Sequence, residues 1–257
     1  MTALSSVSNP RVRQWRQLLA PKGRRAHGLF LAEGEHLAKE AVAAGAAETL
    51  LVLSGQEEAY AELARSAPEV VRVSPQVLSA LTDSRTPQGV LAVCRLPAAG
   101  GLEAAGPRLA ALNRLQDPGN VGAILRTLDA AAFDGLLVDA GCADPFSPKA
   151  LRASMGAVFR VPVYACGDLP RALDALSGYD RVAGDLRGEP YYAHPPFGPR
   201  VCLLVGNEGA GLDADVLSRA DFRLRLPIPG GAESLNAAVA AGLMIYDVLL
   251  SGENPPV

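Results

Sequence analysis

The chain has 257 residues, of which 49% are hydrophobic and 20% charged, and its formal net charge is −3. That length suits one large domain or two ordinary ones, with enough apolar content to bury a sizeable core. The four cysteines, Cys94, Cys142, Cys166 and Cys202, form no CxxC pair, which argues against a zinc clip or a thioredoxin-like redox centre. They read as buried free thiols, and no metal site is expected.

Charge is unevenly spread. Residues 1–32 hold Arg11, Arg13, Arg16, Lys22, Arg24 and Arg25 without a single Asp or Glu, leaving 18 basic residues against all 27 acidic ones elsewhere. Such an arm on an acidic body suits a polyanion, and equally a solvated helix face. The N-terminus has no apolar run of the signal-peptide kind. The longest apolar stretch, Leu235 to Leu250, falls short of the ~20 residues of a membrane span and contains Asp247. A soluble, cytoplasmic protein is expected.

In chain order, a basic helix is predicted near Pro10–Ala20, then a short strand at Leu29–Leu31 and a helix near Glu35–Ala44. The apolar run Leu50–Leu53, a helix near Glu57–Ser66, the strand Val70–Val73, a short helix after Pro75 and the strand Val90–Val93 complete a small α/β unit. Residues 97–107, rich in Gly, Pro and Ala, read as a linker between domains at 1–96 and 108–257. Beyond it the strands become continuously apolar: Leu109–Leu112, Leu136–Val138, Val161–Tyr164, Val201–Val205 and Phe222–Leu226. Such runs imply a parallel sheet covered on both faces, with ligands bound beyond the carboxyl ends of its strands.

Three loops follow those strands. In Asn113–Arg126, Asp117-Pro118-Gly119 makes a turn and Asn120 is placed to cap a helix whose apolar stripe is Val121, Ile124, Leu125 and Leu128. Gly119, Gly122 and Arg126 fall on another face, either as a ligand approach with a fork of donors or as a capped helix with a surface ion pair. In Leu203–Leu212 an apolar strand runs into Gly206, Asn207, Glu208, Gly209 and Gly211, which fit neither GxGxxG nor a P-loop. In Leu226–Val239, two prolines and two glycines precede Ser234, which can cap the final helix, and Asn236, which capping leaves unexplained.

Together, DPGNVGAILRT, LLVGNEGAGL and LPIPGGAESLNAAVAAGL resemble, in order, the motifs of the SpoU family of RNA ribose methyltransferases in the SPOUT superfamily. The resemblance covers about 108–250 and includes KALRASMGAVFRVPV. SNPRVRQWRQLL and GLFLAEGEHLAKEA look like the substrate-binding domain that often precedes it. The chain departs from the family pattern at Gly230, where Met is usual, at Ala237-Ala238, which replaces Val-Ser, and in a short turn at Asp134-Gly135.

The resemblance implies a C-terminal parallel sheet with a deep trefoil knot, otherwise nearly absent from proteins, and S-adenosylmethionine as cofactor. Leu204, Gly206, Ile228 and Leu235 would hold that cofactor. Asn120, Arg126, Glu208, Ser234 and Asn236 match the family's catalytic polar set. With the uncharged final helix it further implies a homodimer, and the target expected is RNA, ribosomal in preference to transfer RNA, which stays open. The charge of the basic arm puts Arg11, Arg13, Arg24 and Arg25 on its phosphates. Rival readings are methylation of a base nitrogen and a non-catalytic RNA-binding or assembly factor of the same fold. A dinucleotide fold would need later glycines after Leu136, a hydrolase would need GxSxG, and neither is present. His27, His36 and His194 have no partner evident in the sequence.

Overall fold

The structure, a computed structural model, describes residues 3–84, 86–98 and 100–251. The chain forms two compact units. The first takes everything up to Ala98 together with Asp144–Arg160, and the second takes the rest. The insertion of Asp144–Arg160 into the first unit differs from the sequence expectation, which kept it within 108–257.

In the first unit a four-stranded mixed sheet has the order β1-β4-β2-β3, built from β1 (Leu29–Glu33), β2 (Ala47–Leu53), β3 (Val70–Val73) and β4 (Val90–Arg95). The central strand β4 runs antiparallel to both β1 and β2 and is buried along Val90–Cys94. Its helices are α1 (Pro10–Gln17), α2 (Pro21–His27), α3 (Glu35–Ala43), α4 (Ala61–Ser66) and α5 (Pro75–Ala80). The basic helix expected near Pro10–Ala20 ends at Gln17, and a second basic helix that was not expected follows it. Pro21 disfavours the helical conformation at the residue before it; Ala20 is extended, with φ −103° and ψ 145°. Val12, Trp15 and Leu18 pack into the core with Leu51, Val77 and Leu91, while Arg13 and Arg16 stay exposed.

The inserted segment carries α7 (Pro148–Ser154), capped by Ser147, and is tied to this unit by rings and ion pairs. Phe146 and Phe159 pack on Phe30 with centroids 5.1 and 5.9 Å away. Arg152 pairs with Asp83 at 2.6 Å, and Arg160 pairs with Glu40.

The second unit is a six-stranded, wholly parallel sheet of order β10-β8-β9-β5-β6-β7. Its strands are β5 (Arg108–Leu112), β6 (Gly135–Asp139), β7 (Val163–Cys166), β8 (Asp180–Pro190), β9 (Val201–Val205) and β10 (Phe222–Arg225). Its helices are α6 (Pro118–Ala130), α8 (Leu169–Ala175), α9 (Ala214–Leu217) and α10 (Ala237–Leu250). The continuous apolar runs β5 and β9 lie side by side in the centre, as burial on both faces requires. One face carries Leu109, Ala111, Leu137, Leu173, Leu204 and Val216; on α6, Val121, Ile124, Leu125 and Leu128 are fully buried. Helix α6 packs against α10.

Strand β8 was not expected from the sequence. Only Val182 and Ala183 of its eleven residues are buried, and glycines and charges interrupt any apolar period. It is paired nonetheless with β9 and with β10, the latter through a register shift at Arg223/Leu224. All four cysteines are free. Burial pushes the Cys142 and Cys202 thiols up to about 12, so neither offers a thiolate near neutral pH.

Candidate functional site

The carboxyl ends of β8, β9 and β10 and the start of α10 enclose a cavity of ≈ 420 Å³. Leu204, Gly206, Ile228 and Leu235, the four positions assigned to the cofactor, all line it. Sequence reasoning missed Leu226 and Met244 and the stretch Gly184–Arg187, because the strand carrying that stretch went unread. The walls are mainly apolar side chains and loop backbone, with Asp185, Arg187, Glu208 and Ser234 among them, the mix of apolar surface and a few polar groups that a small-molecule site needs. Gly206 shows how close the backbones lie. A Cβ there would sit 2.3 Å from Gly211 C and 2.5 Å from Leu212 N, so any side chain would break the loop.

That loop is held by its own asparagine. Asn207 Oδ1 accepts from Gly209 N at 2.9 Å and Ala210 N at 3.0 Å, and the Asn207 and Gly211 backbones exchange hydrogen bonds of 2.9 and 3.0 Å. Asn207 thus shapes the turn as an internal brace.

At the rim, one residue from each loop joins a chain of hydrogen bonds. Asn120 Nδ2 donates to Glu208 Oε1 at 3.1 Å, and Asn236 Nδ2 donates to Asn120 Oδ1 at 3.0 Å. Two capping expectations are corrected here. Helix α6 is capped by Asp117, whose Oδ1 accepts from Gly119 N at 2.7 Å, with Pro118 as first helical residue. Asn120 therefore sits inside the first turn with its side chain free to reach Glu208. Helix α10 is capped by Asn236, which accepts from Ala238 N and Val239 N, and not by Ser234. Ser234 is exposed and lines the cavity.

Burial acts to raise the Glu208 carboxyl. Hydrogen bonds from its own N–H, Asn120 and the Asp117 backbone outweigh that effect and hold it below the usual carboxylate range. It is ionised near neutral pH and accepts from the Asn120 amide, which leaves the Asn120 carbonyl to face Asn236.

Arg126 is exposed on α6 and does not line the cavity, and it takes no part in the hydrogen-bond chain of Asn120, Glu208 and Asn236. Of the arm arginines, Arg13 and Arg25 are exposed, and Arg11 forms a two-pronged pair with Glu69 at 2.9 and 2.5 Å. Arg24 contradicts its assignment to RNA. It is 2% exposed, pairs with Asp144 at 2.7 Å and donates to the Leu18 and Leu19 carbonyls at 2.8 and 3.1 Å. The side chain best able to satisfy the carbonyls ending α1 is a guanidinium with several donors, so it is consumed internally.

The histidines also find partners. His27 contacts Gln17 at 2.7 Å, His36 the Met155 carbonyl at 3.1 Å, and His194 contacts Asp247 at 3.4 Å while stacking on Phe197 at 4.0 Å. None belongs to the cavity.

Residues 107–246 match the SpoU rRNA methylase family, and residues 9–92 match the MRM3-like substrate binding domain. The chain belongs to the SpoU rRNA methylase family. It is 35% identical over 248 residues to the 23S rRNA (guanosine(2553)-2'-O)-methyltransferase RlmP of Bacillus subtilis, covering 96% of this chain and 98% of that one. It is 32% identical to the 23S rRNA (uridine(2479)-2'-O)-methyltransferase of Streptomyces viridochromogenes, covering 94% and 90%. Among solved structures, the AdoMet-bound rRNA methyltransferase from Sinorhizobium meliloti superposes with a TM-score of 0.83 at 33% identity, covering 96% of this chain and 97% of that one. The SpoU methyltransferase AviRb from Streptomyces viridochromogenes, in complex with AdoMet, gives 0.85 at 31% identity, covering 93% and 97%. The SPOUT architecture of the second unit and the substrate-binding architecture of the first follow from this membership.

Among the described residues, no helix is long and apolar enough to cross a membrane, and no cluster of His, Cys, Asp and Glu is arranged to hold a metal ion.

Proposed function

We propose that the protein transfers the methyl group of S-adenosylmethionine to a ribose 2'-hydroxyl of ribosomal RNA. The observation that carries this reading is that all three loops wall or rim one cavity, with Glu208, Asn120 and Asn236 joined across them. Relatives named as 23S rRNA 2'-O-methyltransferases support both the reaction and the ribosomal target over transfer RNA. A ribosomal RNA substrate supports a cytoplasmic location. The crossing loops 206–212 and 226–236, which share the cavity, are where the family's trefoil knot would lie.

The cavity fits the cofactor: it has apolar walls at Leu204, Ile228 and Leu235, and its loop closes so tightly at Gly206 that a Cβ there would meet the backbone of Gly211 and Leu212. When bound, the sulfonium supplies an already activated methyl group, so the protein must align the acceptor and raise its nucleophilicity. A free guanidinium keeps its proton at neutral pH and is no general base. Arg126 instead clamps the neighbouring RNA phosphate with its planar fork and stabilises the developing oxyanion. The reacting hydroxyl would give its proton to an RNA phosphate oxygen held by Arg126. Asn120, fixed by Glu208 and Asn236, orients the ribose, and Ser234 shapes the rim.

Tritiated methyl transfer to ribosomal RNA, followed by digestion to nucleosides, tests the reading. Label is expected in a 2'-O-methylnucleoside whose 3' linkage resists alkali. Label in a base would favour base methylation, and no transfer would favour the non-catalytic factor.

The exposed residues Arg13 and Arg25 meet RNA phosphates, together with Arg16 and Lys22 on the same two helices. Changing Arg13 and Arg25 to Ala should weaken RNA binding and flatten its log–log salt dependence by ~0.7–0.9 for each phosphate no longer neutralised. A salt slope equal to wild type would remove these helices from the RNA footprint.

The protein acts as a homodimer through α10. Val239, Leu243, Tyr246 and Leu250 recur every three or four residues along it and are 44–63% exposed, an apolar stripe left uncovered in the single chain. The stripe begins beside Asn236, so a second copy seated on it borders the site. Sedimentation at micromolar concentration should show a dimer, and Leu243→Asp should weaken association by roughly 30-fold or more, as for a central hot-spot residue. A wild-type monomer would overturn this assembly.

A further inference from the structure

We infer that Asn113 and Arg114, at the carboxyl end of β5, are positioning residues for the loop that forms the cofactor cavity, and that Asn113 is the decisive one. They fall outside the cavity lining and outside every residue assigned to the reaction. The inference rests on the reading of that cavity as the S-adenosylmethionine site.

The loop leaves β9 at Gly206 and re-enters regular structure at α9, which Asp213 precedes. Both of its feet are fastened to the same dipeptide. At the first foot, Asn207 Nδ2 donates to the Arg114 carbonyl at 2.9 Å. At the second, the Asp213 N–H donates to Asn113 Oδ1 at 2.7 Å. The Asn113 side chain is 3% exposed, and its Nδ2 donates to Asp139 Oδ2 at 2.6 Å and to Asp213 Oδ2 at 3.2 Å. One buried amide thus ties the ends of β5 and β6 to the far end of the cofactor loop.

The backbone at Arg114 presents its carbonyl to Asn207 only because it adopts a left-handed conformation, φ 54°, uncommon for a residue with a Cβ. Asp139 holds it there by accepting from Arg114 N at 3.1 and 3.0 Å. The Arg114 guanidinium adds a 3.1 Å pair to Asp213, but both side chains are about half exposed, so this pair contributes little.

Asn is the residue type this junction needs. It must accept from a backbone N–H and donate to two carboxylates at once, and among side chains of that size only a carboxamide offers both. An aspartate would keep the acceptor and place a third carboxylate against Asp139 and Asp213. With the feet fixed, Gly206 and Asn207 are preorganised and the cofactor meets a formed cavity. Released, the loop must be ordered at the moment of binding, and affinity falls.

The test is cofactor affinity and steady-state kinetics on the full-length protein. Asn113→Ala should raise the S-adenosylmethionine Kd and KM about tenfold or more, the scale of one unsatisfied buried hydrogen-bonding group. Its kcat at saturating cofactor should fall by no more than about threefold, and RNA affinity should hold. A lower Tm with unchanged Kd for the folded protein would mean that Asn113 serves the sheet alone, and would overturn the inference.

Asn113→Asp guards against an unfolded variant. It should weaken the cofactor similarly, and adding Asp213→Asn should recover much of the loss, because the new amide donates back to the new carboxylate. Absence of recovery would overturn the inference. Ile228→Asp, which places a charge in the cavity wall, separates the two levels. If it leaves cofactor affinity intact, the cavity itself is misread, whatever Asn113 does.

Discussion

Replacing Arg126 by alanine is expected to lower the single-turnover rate of methyl transfer by ~10²–10³ at saturating RNA and cofactor, the scale for loss of one preorganised electrostatic donor. Folding and cofactor affinity should survive. The stripe Val121, Ile124, Leu125 and Leu128 that anchors α6 is fully buried and stays intact, and Arg126 itself is exposed and off the cavity. Arg126→Lys should restore only part of the rate, because an ammonium keeps the charge and loses the planar fork that grips a phosphate. As a mere surface cation, Arg126 would on removal change stability by at most ~1 kcal/mol and leave turnover normal. A near wild-type rate for Arg126→Ala would end the catalytic assignment.

The second large effect is structural and falls on a residue of the same chemical type. Arg24→Ala is expected to destabilise the first unit by ~3–5 kcal/mol, measured by denaturant unfolding, because it strips the partner from a largely buried ion pair. Asp144 would be left without its guanidinium, and the Leu18 and Leu19 carbonyls would lose their donors. Against a typical total of ~5–15 kcal/mol for a domain, that is a large share. The anchor of Asp144–Arg160 goes with it, since Asp144 is where that segment enters the unit. A change below ~1 kcal/mol accompanied by weaker RNA binding would instead return Arg24 to the phosphate-binding arm.

The contrast between Arg24 and Arg126 illustrates how the chain can be read. Both are arginines on helices. Position beside Gly119 and Gly122 and a family motif marked the one, and a run of basic residues marked the other. Arg24 is decided by Asp144, 120 residues away, and no local pattern carries that information.

What was legible in the residues is what depends on short-range physics. Apolar runs such as Leu109–Leu112 and Val201–Val205 marked a parallel sheet covered on both faces, because a strand buried on both faces can be apolar throughout. That these two are central and Val163–Cys166 and Phe222–Arg225 are edges was decided by the pairing. Gly, Pro, Asn and Ser after three strands marked the two loops that line the cavity and the third that borders it through Asn120, since tight backbone approach needs residues without bulk. The helical period on α6 and the uncharged length of α10 were likewise visible from spacing.

The remainder came from contacts across the fold. Strand β8 is half polar and gains its hydrogen bonds from β9 and β10, so it carries no pattern of its own. Asn120 and Ser234 both suit a helix cap by type. Asp117 and Asn236 take those positions because of where the preceding strands deliver the chain, which turns Asn120 toward Glu208. Asn113 looks like an ordinary polar residue after a strand until Asp139 and Asp213 close around it. A side-chain amide can satisfy many partners, and only the packed sheet chooses among them.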